Sequence, residues 1–377
     1  VRVVLVSGKG GVGKTSLALA TALGAAEHGH RVAVLSTDAA HSLGDALGRP
    51  VGPDAVEVAD RVVAREVSAL TELDRSWEAI RRFYQTLLFA EADQLVAEEL
   101  LVLPGLEELV ALRAVKEVED AGAHDVCIVD CAPTAATLRV LRLPDVLRHF
   151  MENVFDWKRR SSRMLRPVAR RIGVERFIPP EEFWESVDQL YEGVEAVRQI
   201  LLDESRTSAR LVTNPAHVVV DETRRAFAYL CLHGIATDAL LVNRVLPPEA
   251  SGGYFGRWAE RERRELAEIE HSFPVAILRA SLCPREPIGV DALRALGAEL
   301  YGARDPADAL VHRRPIRLER RDGRTRLAID LPTACREDID VVVRGDELRV
   351  GVRDVERRIA LPASLAGRAV TSTEHVD

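Results

Sequence analysis

The 377-residue chain has few residues suited to sulfur chemistry. It contains five cysteines, Cys127, Cys131, Cys231, Cys283 and Cys335, an odd count with no CxxC spacing. That pattern argues against a disulfide framework and a structural zinc site, and it points to a reducing, cytoplasmic setting. Lysine is scarcer still: Lys9, Lys14, Lys116 and Lys158 stand among 51 basic residues. Two of these four fall within one glycine-rich octapeptide, where a compact ammonium has a chemical use. Methionine is limited to Met151 and Met164, and aromatic residues make up 5%. No apolar run approaches the roughly 20 residues needed to span a bilayer, and no signal-peptide pattern is visible. Basic charge is not in excess either. The net charge of −8 excludes a general nucleic-acid binder, which needs a basic face to displace counterions, so no DNA partner is expected. What remains is an ordinary globular balance, 47% hydrophobic and 29% charged, in a chain long enough for a large domain and a small one, or for two medium domains.

The pattern of elements predicts an α/β fold with a mostly parallel, doubly wound sheet. Arg2 to Ser7 reads as a buried strand, and a glycine-rich turn follows it. A helix is expected from Lys14 to His28, and Arg31 to Ser36 reads as a second buried strand. Further strands are expected at Asp125–Asp130, Arg210–Thr213, Ala239–Asn243 and Pro274–Leu278. Two helical blocks, mainly within 65–120 and 147–208, form an inserted helical subdomain on this core. From about Pro315 the pattern changes to short alternating runs. Asp322-Gly323 and Gly345-Asp346 mark hairpin turns between them. The expected organisation is a domain over 1–303, a linker over 304–314 and a small all-β sandwich over 315–377.

Gly8-Lys9-Gly10-Gly11-Val12-Gly13-Lys14-Thr15 meets every position of G-x-x-x-x-G-K-[ST] and lies between a predicted strand and a predicted helix. Glycines let successive backbone N–H groups turn onto phosphate oxygens, and the helix N-terminus through Ser16 adds its partial positive charge. Lys14 is expected to neutralise the terminal phosphates of ATP, and the Thr15 hydroxyl to ligate Mg²⁺. Asp130, closing an apolar strand, has the form of a second Mg²⁺-shell residue. Asp38 follows the second strand, where a carboxylate can orient a water and take its proton; helix capping is the ordinary reading of such a residue.

With a second lysine, Lys9, the loop resembles the deviant form found in dimeric P-loop ATPases. The surrounding segments narrow the likeness to the ArsA/GET family, the arsenite-pump and tail-anchored-protein-targeting ATPases. Ser36-Thr37-Asp38-Ala39-Ala40-His41-Ser42-Leu43-Gly44-Asp45-Ala46-Leu47 resembles its first switch, with Ala39 in place of a proline. Asp130-Cys131-Ala132-Pro133-Thr134-Ala135-Ala136-Thr137-Leu138-Arg139 resembles its second switch, with Cys131, Ala135 and Ala136 departing from the family pattern. Pro104-Gly105-Leu106-Glu107-Glu108-Leu109 and Leu241-Val242-Asn243-Arg244 match further elements. The likeness implies ATP and Mg²⁺ as cofactors, with Asp38, Lys9 and Lys14 catalytic and Thr15, Asp38 and Asp130 around the metal. It also implies adenine contacts from Asn243 and Pro284, and a homodimer with nucleotide at the interface to which Lys9 contributes across subunits. An Asn at Asn243 is otherwise a common turn residue, and Lys9 a common solvated one.

The stretch Pro248 to Ile269 lacks the CxxC pair that clasps zinc between the eukaryotic targeting subunits, so no zinc clasp is expected. No cysteine triad suggests itself for arsenite. A hydrophobic or membrane-protein client therefore ranks above an arsenite- or anion-transporting role. A nucleotide-binding regulatory module with weak hydrolysis is a further alternative. The basic and aromatic block from Leu147 reads equally as a client surface or as core packing with a solvated face. The segments Leu327–Pro332, Asp338–Val341, Gly345–Val350 and Arg357–Pro362 resemble an α-crystallin (small heat-shock protein) domain, either an interaction module or a structural appendage.

Overall fold

The computed structural model describes residues 1–37, 42–67, 106–131, 178–321, 324–344, 347–353, 355–361 and 365. The chain begins with β1 (Arg2–Gly8), α1 (Lys14–Glu27), β2 (Val32–Ser36) and the short helix α2 (Ser42–Leu47), then β3 (Val56–Ala59) and β4 (Val62–Glu66). Next come α3 (Leu106–Ala121), β5 (Val126–Asp130), α4 (Glu181–Leu202), β6 (Thr207–Thr213), α5 (His217–His233) and β7 (Thr237–Val245). The large domain ends with α6 (Gly256–Ser272), β8 (Ala276–Ser281) and α7 (Val290–Tyr301). Its eight strands form one sheet in the order β3-β4-β2-β5-β1-β6-β7-β8. Every neighbouring pair is parallel except β3 with β4.

Two of these strands, β3 and β4, add to those the sequence predicts. They turn at Arg61, whose φ is +60°, and the β-branched Val62-Val63 pair fits a pleated surface just ahead of the block expected to be helical. The other strands fall within a few residues of their expected places. Strands β1, β2, β5, β6 and most of β7 are buried on both faces, as in a parallel sheet covered by helices. Alternate residues supply two cores. Val3, Leu5, Cys127, Val129, Leu211 and Leu240 face one side, and Val4, Val6, Ile128, Val212 and Leu241 face the other. On the second side, α1 is alanine-rich and buried almost all round. It packs so closely on α7 that a Cβ at Gly297 would lie 2.6 Å from the Ala20 carbonyl oxygen.

Near the N-terminal ends of β1 and β7, Arg2 and Asp238 join Arg210 of β6 in a buried ionic group, with Arg2 donating to Asp238 at 3.3 Å. The Arg210 guanidinium donates to both oxygens of Asp238 (3.2 and 3.1 Å), to the Tyr301 hydroxyl (3.1 Å) and to the carbonyls of Pro306 (2.7 Å) and Asp308 (2.8 Å). Both charged side chains are completely buried. The segment expected as a linker is thus folded onto the large domain at Pro306 and Asp308. The opposite, C-terminal end of the sheet is left for ligand chemistry, where open α/β sheets bind.

The C-terminal strands β9 (Ile316–Arg321) and β10 (Arg324–Ile329) form one antiparallel pair. A three-stranded antiparallel sheet is made by β11 (Ile339–Arg344), β12 (Glu347–Val352) and β13 (Val355–Ala360). Leu348, Val350, Val352 and Val355 bury themselves against Ala228 and Leu232 of α5. Polar bonds add to this contact: Thr333 Oγ1 donates to the Arg224 carbonyl at 2.8 Å, and Arg357 donates to the Leu232 carbonyl.

Candidate active site

The glycine-rich loop leaves β1 beside β6 and enters α1. Gly8 is paired with Val212, and a Cβ there would sit 2.3 Å from the Val212 carbonyl oxygen. Only glycine fits that approach. Gly13 forms the N-cap of α1 at φ +94°, and no side chain caps the helix. Gly13 thus brings no side chain of its own to the first-turn amides, an arrangement that suits an anion site at a helix N-terminus. Lys14 is buried, and its Nζ donates to the Lys9 carbonyl at 3.3 Å. Val12 is buried beneath the loop, while Gly10 and Gly11 are exposed.

Three oxygen-bearing side chains, those of Thr15, Ser42 and Asp130, meet at the base of this loop, and a fourth, Ser36, reaches the same carboxylate. The Thr15 hydroxyl donates to Asp130 Oδ2 at 2.8 Å and lies 2.8 Å from the Ser42 hydroxyl on α2. The buried Ser36 hydroxyl donates to the same Asp130 oxygen at 3.5 Å. Asp130 itself is fully buried at the end of β5. The parallel register of β2 and β5 sets Ser36 opposite Asp130. A carboxylate and two hydroxyls are hard donors of the kind Mg²⁺ takes from a protein while keeping part of its water shell. The donor set therefore fits the metal.

The sequence-predicted residues are brought together to different degrees. Gly8 to Thr15, Ser16 and Asp130 share one site. Asn243, at the end of β7, reaches the loop directly: its Nδ2 donates to the Val12 carbonyl at 2.8 Å, and its Oδ1 accepts the Arg244 amide at 2.9 Å. Its amide thus supports the loop as well as bordering it. Pro284 is exposed in the connection after β8, which is tied to β7 by the Leu282 amide donating to the Val245 carbonyl at 2.7 Å. Asp38 and the second-switch residues Ala132 to Arg139 lie outside the described residues, as do Pro104, Gly105 and the block 147–177. Thr37 is fixed by its amide, which donates to the Asp130 carbonyl at 2.9 Å.

Sequence reasoning missed three contributors. Ser42 stands in the first-switch segment, but no site role was expected of it. Glu66 is buried and accepts the Gly44 amide at 3.2 Å, steadying α2. Glu222, on α5, carries no motif, yet its Oε2 lies 2.9 Å from Lys9 Nζ. Nothing in the local sequence signals that pair, because it joins residues more than two hundred positions apart.

Cys127, Cys131 and Cys231 are buried. Burial pushes the thiols of Cys127 and Cys231 up to about 12. Among the described residues no three His, Cys, Asp or Glu side chains converge as a metal group, and no helix is long and apolar enough to cross a membrane.

Residues 1–302 match the family model described as anion-transporting ATPase, and residues 322–377 match one described as an HSP20-like domain found in ArsA. A protein of Prosthecochloris vibrioformis, provisionally named an arsenical pump-driving ATPase, is 36% identical over 373 residues, 97% of this chain and 91% of its own. A similarly named Aquifex aeolicus protein is 32% identical, covering 97% of this chain and 95% of its own. ATPase GET3C of Arabidopsis thaliana is 30% identical over 78% of this chain and 80% of its own.

Proposed function

The chain belongs to the anion-transporting ATPase (ArsA/GET) family, and from that premise we propose that it is a magnesium-dependent, dimeric ATP switch for a hydrophobic protein client. ATP hydrolysis itself is the activity of the family. The observation that carries the rest is the meeting of Thr15, Asp130 and Ser42 at the base of an uncapped helix. Amides of the loop bind the β- and γ-phosphates, and Lys14 neutralises them from its buried position. Thr15 and Asp130 would hold Mg²⁺, which would supply charge neutralisation and alignment of the phosphates. Asp38 orients the attacking water and accepts its proton. Ser36 and Thr37 join the first switch to Asp130, so a change at the phosphates is passed to the segment that follows β2.

Lys9 extends from the loop as a second cation and serves the nucleotide of a second copy. Tyr254 and Phe255, between β7 and α6, and Trp258, in the first turn of α6, stand exposed, which supports an apolar protein contact near this end of the sheet. Cys127, Cys131 and Cys231 are buried, and among the described residues no three ligand side chains gather as a metalloid site would require. That observation favours the protein client over arsenite, despite the names of the relatives.

The test is the Asp38→Asn variant. Its turnover is expected to fall by roughly 10²- to 10⁴-fold, the contribution of a positioned general base, with ATP affinity retained in calorimetry. Trapped with MgATP, it is expected to dimerise and to retain a peptide bearing an apolar helix. Normal turnover would remove Asp38 from catalysis. Metalloid-stimulated hydrolysis with no response to the peptide would replace the client reading with transport.

A further inference from the structure

We infer that Glu222 is a positioning residue for Lys9, holding its ammonium against its own subunit until the lysine leaves to meet a nucleotide bound by a second copy. This deepens the proposal above and rests on its reading of Lys9 as a group acting between subunits.

The pair is built from two fixed elements. Lys9 Nζ lies 2.9 Å from Glu222 Oε2, with side chains 36% and 34% exposed. The Lys9 main chain is itself engaged, because its carbonyl accepts the Lys14 ammonium. The two loop lysines are therefore linked, one by its backbone and the other by its side chain. On the other side, Glu222 is presented by a helix secured along its length. The next residue, Thr223, is buried and its hydroxyl donates to Thr213 Oγ1 at 3.0 Å, anchoring α5 to the end of β6. Further along, Arg224 and Leu232 receive the bonds from the β domain described above. The neighbouring carboxylate is engaged elsewhere, because Asp221 pairs within the helix, with Arg224 at 2.8 Å and His217 at 3.4 Å.

An ammonium is a compact point charge with three donors, and it cannot sit on Glu222 and on a phosphate of another subunit at once. The two positions compete. A half-exposed ion pair contributes up to about 1 kcal/mol, which at 1.4 kcal/mol per tenfold is about a fivefold effect. That is strong enough to keep Lys9 home in the free subunit and weak enough for a triphosphate to displace it.

The experiment is sedimentation of the full chain across a concentration series, with and without a non-hydrolysable ATP analogue and Mg²⁺. Glu222→Gln is expected to lower the concentration for nucleotide-dependent association by about two- to fivefold. Glu222→Asp, which keeps the charge, should stay close to wild type. The Glu222→Gln effect should vanish without nucleotide and in a Lys9→Ala background. An unchanged or raised midpoint for Glu222→Gln, or an equal shift in the Lys9→Ala background, would overturn the inference alone, provided Lys9→Ala weakens association. If Lys9→Ala associates like wild type, the trans-acting reading of Lys9 fails and the inference falls with it.

Discussion

Replacing Gly13 by alanine tests how tightly the phosphate loop is held. The residue adopts φ +94° and ψ 32°, a left-handed conformation that costs an L-residue about 1–2 kcal/mol. The new Cβ would also stand 2.4 Å from Asn243 Nδ2, about 1 Å inside ordinary contact. The amide must retreat, and the bond it donates to the Val12 carbonyl is lost with it, at about 1 kcal/mol. The sum is a destabilisation of about 2–3 kcal/mol, read by urea denaturation. Asn243→Ala alone should cost about 1–3 kcal/mol, because the Val12 carbonyl and the Arg244 amide lose their partner. In the double variant the steric conflict is absent and the lost bond is counted once. Its cost should therefore fall short of the summed single costs by about 1 kcal/mol. Strict additivity, or a Gly13→Ala loss below about 1 kcal/mol, would refute the argument that Asn243 braces this turn.

Two other perturbations probe the scaffold away from the loop. Asp238→Asn leaves the completely buried Arg210 charge without its counter-ion and should cost about 3–5 kcal/mol in urea denaturation. Burial pushes the Asp330 carboxyl up, but hydrogen bonds from Arg317 and Arg313 outweigh it and hold the group below the usual carboxylate range. A depressed folded pKa contributes stability above the unfolded value near 4, and that stability is lost as pH falls through the folded one. Asp330→Asn should therefore show less acid-induced loss of stability below about pH 4 than the parent, measured by thermal melting across a pH series.

The step from sequence to structure is short where the physics is local. A strand of β-branched residues, a glycine loop and an alanine-rich helix specify β1, the loop and α1, since each demand lies within a few residues. Lys14, Thr15 and Asp130 are legible for the same reason: the proposed phosphate and Mg²⁺ roles call for particular residue types at the end of a strand and the start of a helix. The strands β3 and β4 are less legible, because they are short and run up to a block whose composition favours helix. Pairing with β2 is a contact across the sequence.

Composition, spacing and motif alone thus specify a P-loop ATPase of mixed α/β architecture with a small β domain behind it. How these parts act on each other is a matter of the fold. It sets Ser42 against Thr15, turns Asn243 onto the loop, fastens the 304–314 segment through Arg210, and places Glu222 beside Lys9. Each of these joins residues far apart in the chain. Such a contact depends on the packing of whole elements and leaves no periodic or local mark in the sequence.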